Sequence, residues 1–135
     1  MSTKPLNKII VIEDEVDILT IIKFALERIG HLTVEYCNHS EKALQQIETF
    51  VPDLVLMDMM MPGMDGLTVL NALRQTSNLA HIPIIFMTAR AQPEEIKHYL
   101  RAGAIGVISK PFDPLTLPAK LQELWNEQNK EINNE

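Results

Sequence analysis

Short apolar runs alternate with amphipathic segments along most of this chain, and five of the runs read as strands. The first lies near residues 8–12, where Ile9, Ile10, Val11 and Ile12 follow one another without a polar break. A continuous β-branched run is how a strand covered on both faces reads. Ile18, Ile22, Ala25, Leu26 and Ile29 then recur at helical spacing, with Gly30 expected at the C′ position. A second strand is expected at Thr33–Cys37. The helix after it carries Ala43, Leu44, Ile47 and Phe50, with Asn38 or Ser40 able to cap it. Pro52-Asp53 breaks that helix and launches a strand over residues 54–57.

Pro62-Gly63-Met64-Asp65-Gly66 is a turn-forming loop, and Leu67, Leu70 and Leu73 mark the inward face of the next helix. The fourth strand covers Ile82 to Met87, with Pro83 near its start, where proline is tolerated. Pro93-Glu94-Glu95 opens a helix, proline in its first turn and acids at its positive end, and Gly103 closes it. Residues 104–108 form the fifth strand. A last helical segment starts at Asp113-Pro114 with Leu117, Leu121 and Leu124 on one face. Pro118 is expected to kink it or to impose a 3₁₀ start.

Five strands alternating with five helices imply an α/β (βα)₅ fold, a parallel sheet with helices on both faces. Four of the strands run into polar residues: Glu13-Asp14, Asp58, Thr88 and Lys110. Ligands of open parallel sheets bind beyond the carboxyl ends of the strands, where the strand order reverses. A strand order of 2-1-3-4-5 puts that point between the first and third strands, and all four polar ends then share one crevice.

Length and composition narrow the class. The 135 residues make one domain, read as a lead-in over 1–7, a folded body over 8–126 and a polar tail over 127–135 that is expected to fray. A net charge of −6 with no basic cluster argues against nucleic acid and against an anionic membrane surface. No apolar stretch approaches the ~20 residues of a membrane span. Ile9–Ile12 is too short for the core of a signal peptide, so none is expected. Cys37 stands alone, which excludes an internal disulfide and suits a reducing, cytoplasmic location.

The strand-end residues define a chemistry. Acids near a helix start are ordinary dipole partners, and a lone lysine is ordinarily a surface residue. Convergence is what needs explaining. Two carboxylates ~5 Å apart repel by ~3 kcal/mol at an effective dielectric of 20, so three of them need a cation or a proton. Hard oxygen ligands with room for water suit Mg²⁺. A carboxylate such as Asp58 can attack phosphorus and form an aspartyl phosphate. Neither a Gly-x-x-x-x-Gly-Lys-[Ser/Thr] loop nor a Gly-x-Gly-x-x-Gly turn is present, so nucleotide binding has no support.

Four stretches, in this order, resemble the receiver domain of two-component response regulators of the single-domain chemotaxis type. They are Ile-Ile-Val-Ile-Glu-Asp-Glu at 9–15, Asp-Leu-Val-Leu-Met-Asp-Met-Met-Met-Pro-Gly-Met-Asp-Gly at 53–66, Met-Thr-Ala at 87–89 and Ser-Lys-Pro-Phe at 109–112. The likeness runs from about residue 7 to residue 126. It implies a flavodoxin-like, doubly wound sheet and phosphorylation of Asp58 by a histidine kinase or a histidine phosphotransfer protein, with Thr88 and Lys110 assisting. It further implies Mg²⁺ held by Asp14, Asp58 and the Met60 backbone carbonyl, with Glu13 acting through water, and a cis bond between Lys110 and Pro111. Output is then a change in protein–protein interaction, with a downstream partner or a homodimer through the fourth helix, fifth strand and fifth helix. No turnover of an external substrate is expected.

The chain also departs from that family. Val107 stands where a tyrosine or phenylalanine usually precedes the lysine by three residues, and valine is short and stiff at χ1. Ile105-Gly106 replaces an acidic pair. Glu13 stands where aspartate is common, and Met60 and Arg90 occupy the positions thought to gate water. Two other readings compete. A degenerate receiver would act only as a constitutive interaction or dimerisation module. A phosphohydrolase of the haloacid-dehalogenase type would need an acid two residues after the nucleophile, where this chain has Met60.

Overall fold

The computed structural model describes residues 5–133, apart from the side chains of Ser40, Met64 and residues 130–133. Strands β1 (Lys8–Ile12), β2 (Thr33–Cys37), β3 (Leu54–Asp58), β4 (Ile84–Thr88) and β5 (Gly106–Ser109) pair in parallel in the order 2-1-3-4-5. Between and after them run α1 (Val16–Lys23), α2 (Ala43–Phe50), α3 (Gly66–Gln75), α4 (Pro93–Ala102) and α5 (Leu117–Asn133). A two-residue antiparallel ladder, Met60–Met61 against Met64–Asp65, folds the loop between β3 and α3.

Alternation along the strands builds two cores. Ile10, Ile12, Val55, Met57, Ile84 and Phe86 face Ile47, Leu70, Leu73 and Tyr99. Ile9, Val11, Leu54, Leu56, Ile85 and Met87 face Ile22, Leu26, Leu121 and Trp125. Successive strand side chains point to opposite faces, so only an unbroken apolar run can fill both cores. Each fully buried aliphatic side chain contributes roughly 1.5–3 kcal/mol of transfer free energy. Asp65 starts α3 cleanly, its Oδ1 accepting hydrogen bonds from the Thr68 N–H and hydroxyl, each at 3.0 Å. No described helix is long and apolar enough to cross a membrane.

Several boundaries differ from the expectations. Gly30 does not take the left-handed conformation; its φ is −84°, and His31 takes it instead at φ 55°. The reason is a π-helical turn over Phe24–Ile29 that continues α1 and ends with the Gly30 N–H donating to the Ala25 carbonyl at 3.0 Å. Gly30 is needed for space, since a Cβ there would lie 2.9 Å from the Leu26 oxygen and 3.0 Å from Pro118 Cβ. Pro118 falls in the first turn of α5, where its missing N–H costs no helical bond. The turn before it is closed by the Thr116 N–H donating to the Asp113 carbonyl at 3.2 Å, so the helix starts at Leu117 rather than 113. It then runs to Asn133, across the segment expected to fray. A 3₁₀ turn over Ser40–Lys42 precedes α2, and Lys42 at the cap makes no side-chain bond; the Ser40 side chain, one of the two expected caps, lies outside the described residues. The fourth and fifth strands begin two residues later than expected, at Ile84 and Gly106.

Val51 ends α2 at φ 51°, ψ 67°, a left-handed conformation that a β-branched residue tolerates poorly. Left-handed geometry costs an L residue about 1–2 kcal/mol, against roughly 0.5–1 kcal/mol of extra unfolded-state entropy for glycine. Val51→Gly is therefore expected to raise stability by roughly 0.5–1 kcal/mol. A urea titration with an unchanged slope and a higher midpoint checks it.

Candidate functional site

The parallel sheet brings β1, β3, β4 and β5 out at one edge. Glu13 follows β1 directly, its N–H donating to the Cys37 carbonyl at 3.0 Å. Asp58 and Thr88 are the last residues of β3 and β4. Lys110 follows β5, its N–H donating to the Thr88 carbonyl at 2.9 Å, and the Lys110–Pro111 bond is cis. Among the described residues, the buried polar or charged ones are Glu13, Asp58 and Thr88, at 0%, 6% and 3% exposure. Buried polar groups are costly unless paired, so their gathering at one sheet edge marks a built site.

The pairing is specific. One carboxylate oxygen each from Glu13, Asp14 and Asp58 lies within 4.8 Å of the others. Lys110 Nζ donates to Glu13 Oε1 at 3.0 Å and lies 3.4 Å from Asp58 Oδ2. The second Glu13 oxygen accepts from the Glu15 N–H at 3.2 Å, and Asp58 Oδ1 accepts from the Met60 N–H at 3.3 Å. Thr88 Oγ1 accepts from the Arg90 N–H at 2.9 Å. Burial, helped by the charge of Asp58, pushes the Glu13 carboxyl up to about 7, although its hydrogen bond to Lys110 opposes this. Burial alone would lower the Lys110 ammonium; the bond to Glu13 and the charges of Glu13 and Asp58 outweigh it and raise the group instead.

Three carboxylates against one ammonium leave a formal deficit of two positive charges. The donor set fits a hard divalent cation: oxygen ligands, partly open at Asp14, without the thiolate or imidazole that would favour zinc. Met60 is 67% exposed, and the contact that the structure gives it with Asp58 is through its N–H. The backbone donors of Glu15, Met60 and Arg90 were invisible to side-chain reasoning, because any residue type supplies an N–H. The sequence marks Asp53 only as a helix breaker, yet its Oδ2 accepts from the Asn7 and Lys8 N–H groups at 3.1 and 2.8 Å and ties the lead-in to the sheet. Val107 is half-buried at the edge of the core formed with α2, α3 and α4.

The pattern of the response regulator receiver domain matches residues 9–122. This chain belongs to the receiver domain family. The phosphate regulon transcriptional regulatory protein PhoB of Escherichia coli is 36% identical over 116 residues, covering 86% of this chain but 50% of that protein. The chain thus spans about half the length of such regulators. The chemotaxis protein CheY-3 of Vibrio cholerae is 32% identical over 118 residues, which is 87% of this chain and 91% of that protein. Among solved structures, the chemotaxis response regulator CheY4 of Vibrio cholerae gives a TM-score of 0.81 at 28% identity, covering 88% of this chain and 98% of that one. The BeF3-activated N-terminal receiver domain of RstA from Klebsiella pneumoniae gives 0.78 at 31% identity, covering 88% and 98%. The receiver fold and the flavodoxin-like strand order are therefore common to this chain and its neighbours.

Proposed function

We propose that this receiver takes a phosphoryl group onto Asp58 from a histidine kinase or histidine phosphotransfer protein, and signals by a phosphorylation-controlled protein interaction. The observation that carries the reading is the meeting of Glu13, Asp58 and Thr88, the buried polar residues of the described chain, with Lys110 at one sheet edge. A carboxylate oxygen of Asp58 attacks phosphorus; the new O–P bond forms as the donor's N–P bond breaks, and the imidazole nitrogen keeps the electron pair. Lys110 lies where it offsets charge on the transferring group, and the Thr88 hydroxyl stands one strand away. Asp14, Asp58 and the Met60 carbonyl would hold Mg²⁺, with Glu13 acting through water. When bound, the ion supplies two positive charges against the three carboxylates and the incoming phosphoryl oxygens.

The mouth of the site supports a protein donor. An apolar groove of about 390 Å³ beside Lys110 is lined by Ile18, Ile21, Ala89, Pro111 and Phe112, and Ala89 is small enough to admit a phosphohistidine. A reducing, cytoplasmic setting fits the single buried thiol of Cys37. The protein is not expected to turn over an external substrate: Met60, where a phosphohydrolase needs its second acid, offers no proton.

Incubation with a small acyl phosphate tests the reading. One phosphoryl group per chain is expected with Mg²⁺, and none once the metal is chelated. A second reading, the constitutive interaction module, is favoured by Val107 alone. It requires equal partner binding with and without the phosphoryl group.

A further inference from the structure

Helix α4 buries one side chain fully in the domain and packs a second, Ala102, partly against the same core. Of Pro93–Ala102, only Tyr99 is buried, at 7% exposure, whereas α3 buries Gly66, Val69, Leu70 and Leu73. The Tyr99 ring meets Phe86 of β4 edge-on, with centroids 5.7 Å apart and planes at 72°. Its hydroxyl bonds no described residue, so packing alone holds it. Phe86 is tightly seated: a Cβ on Gly66 would lie 2.6 Å from its ring. Phe86 and Thr88 are two residues apart on one strand, so both side chains leave the same face of the sheet. Across the sheet, Phe86 pairs with Val107 of β5.

The loop that leads into α4 is tied to the site through Thr88. Its Oγ1 accepts from the Arg90 N–H at 2.9 Å and so fixes the first residues after β4. A phosphoryl group on Asp58 would offer that hydroxyl a charged acceptor, and charge-assisted bonds are about twice as strong as neutral ones. Drawing Thr88 toward Asp58 frees the Arg90 N–H and the loop with it. The element that follows has Tyr99 as its one fully buried side chain to shift.

We propose that Tyr99, seated against Phe86, is the pin through which phosphorylation of Asp58 moves α4 in this chain. The inference rests on the phosphoacceptor reading and adds the side chain that carries the signal outward. Val107 is too short to do so from β5, and an aromatic ring on the neighbouring helix occupies the same side of the sheet.

The chain holds two tyrosines, Tyr36 and Tyr99. A Tyr36→Phe protein labelled with fluorotyrosine therefore gives one fluorine NMR signal, from Tyr99. With Mg²⁺ and fluoroberyllate as the phosphoryl mimic, the Tyr99 signal and the Met60 amide are expected to shift together, and Asp58→Asn blocks both. Amide exchange across residues 93–102 is expected to rise by about tenfold or more on adding fluoroberyllate. Phe86→Leu is expected to keep the Met60 response, with a midpoint within about twofold, and to lose the Tyr99 shift. Should Phe86→Leu fail to fold, Tyr99→Leu reads the same claim: α4 exchange is fast from the start and changes by less than about twofold on fluoroberyllate, while Met60 still responds. A merely structural tyrosine would speed exchange without removing its dependence on fluoroberyllate. A Met60 response with an unmoved Tyr99 signal, or a Tyr99 shift that survives Phe86→Leu, overturns the inference. No response at Met60 in the unsubstituted protein overturns the phosphoacceptor reading beneath it as well.

Discussion

Asp58→Asn is expected to abolish phosphoryl uptake while making the metal-free protein more stable. The two effects have one cause. Asp58 has an oxygen within 4.8 Å of oxygens on Glu13 and Asp14, and its Oδ2 lies 3.4 Å from Lys110 Nζ. With the acids ionised and an effective dielectric of 20, each like-charge pair at 4.8 Å costs about 3.5 kcal/mol and the attraction returns about 5 kcal/mol, leaving a net repulsion of about 2 kcal/mol. The amide removes that repulsion and keeps an acceptor for the Met60 N–H. It has no charged oxygen to attack phosphorus, so the transfer is lost outright rather than slowed. Chemical denaturation in the presence of a chelator, at a pH above 7 where Glu13 is ionised, should give a gain of about 2 kcal/mol, and excess Mg²⁺ should shrink that gain by preferring the unsubstituted site. A destabilised Asp58→Asn protein would mean that Lys110 outweighs the two acids and that the site does not call for a cation.

Lys110→Met is expected to do the opposite to stability and to impair chemistry by a different route. Lys110 is the ammonium that faces Glu13 and Asp58, and the Glu13 side chain is fully buried. Breaking a buried pair by removing one partner costs about 3–5 kcal/mol; Lys110 is 16% exposed, so the expected loss is at the low end, about 3 kcal/mol. Methionine keeps the length of the stem and removes the charge. Removing a charged donor aimed at developing negative charge slows transfer by about 10²–10³-fold. The same loss of positive charge should tighten Mg²⁺ binding, since the ion no longer competes with the ammonium. Rate, stability and metal titration measured on this variant separate the roles: slower transfer with tighter metal binding supports them, and unchanged transfer removes Lys110 from the chemistry.

The sheet and the meeting of the site residues were legible because they follow from short-range patterns. A short, unbroken β-branched run such as Ile9–Ile12 reads as a strand covered on both faces, and parallel strands leave at one edge whatever lies between them. Positions set by distant packing were not legible. The left-handed residue moved from Gly30 to His31 because a π-helical turn carries the helix through Gly30, and Pro118, far along the chain, takes the space a side chain at Gly30 would need. Pro118 itself read as a disruption, since its place in the first turn of α5 depends on the turn over residues 114–116. Tyr99 carried no signal as an anchor: among Ile96, Leu100 and Ala102 on the same helix it looks incidental until Phe86 is placed beneath it. The N–H donors of Glu15, Met60 and Arg90 have no side-chain signature at all.

The site that receives the phosphoryl group decides the role of Asp58. Mass spectrometry of the protein after reaction with an acyl phosphate, with and without Mg²⁺, followed by peptide mapping, measures this directly. One phosphoryl group on the peptide that carries Asp58, present only with the metal, is the expected result. Phosphorylation elsewhere, or at Asp58 without need of a divalent ion, would contradict it.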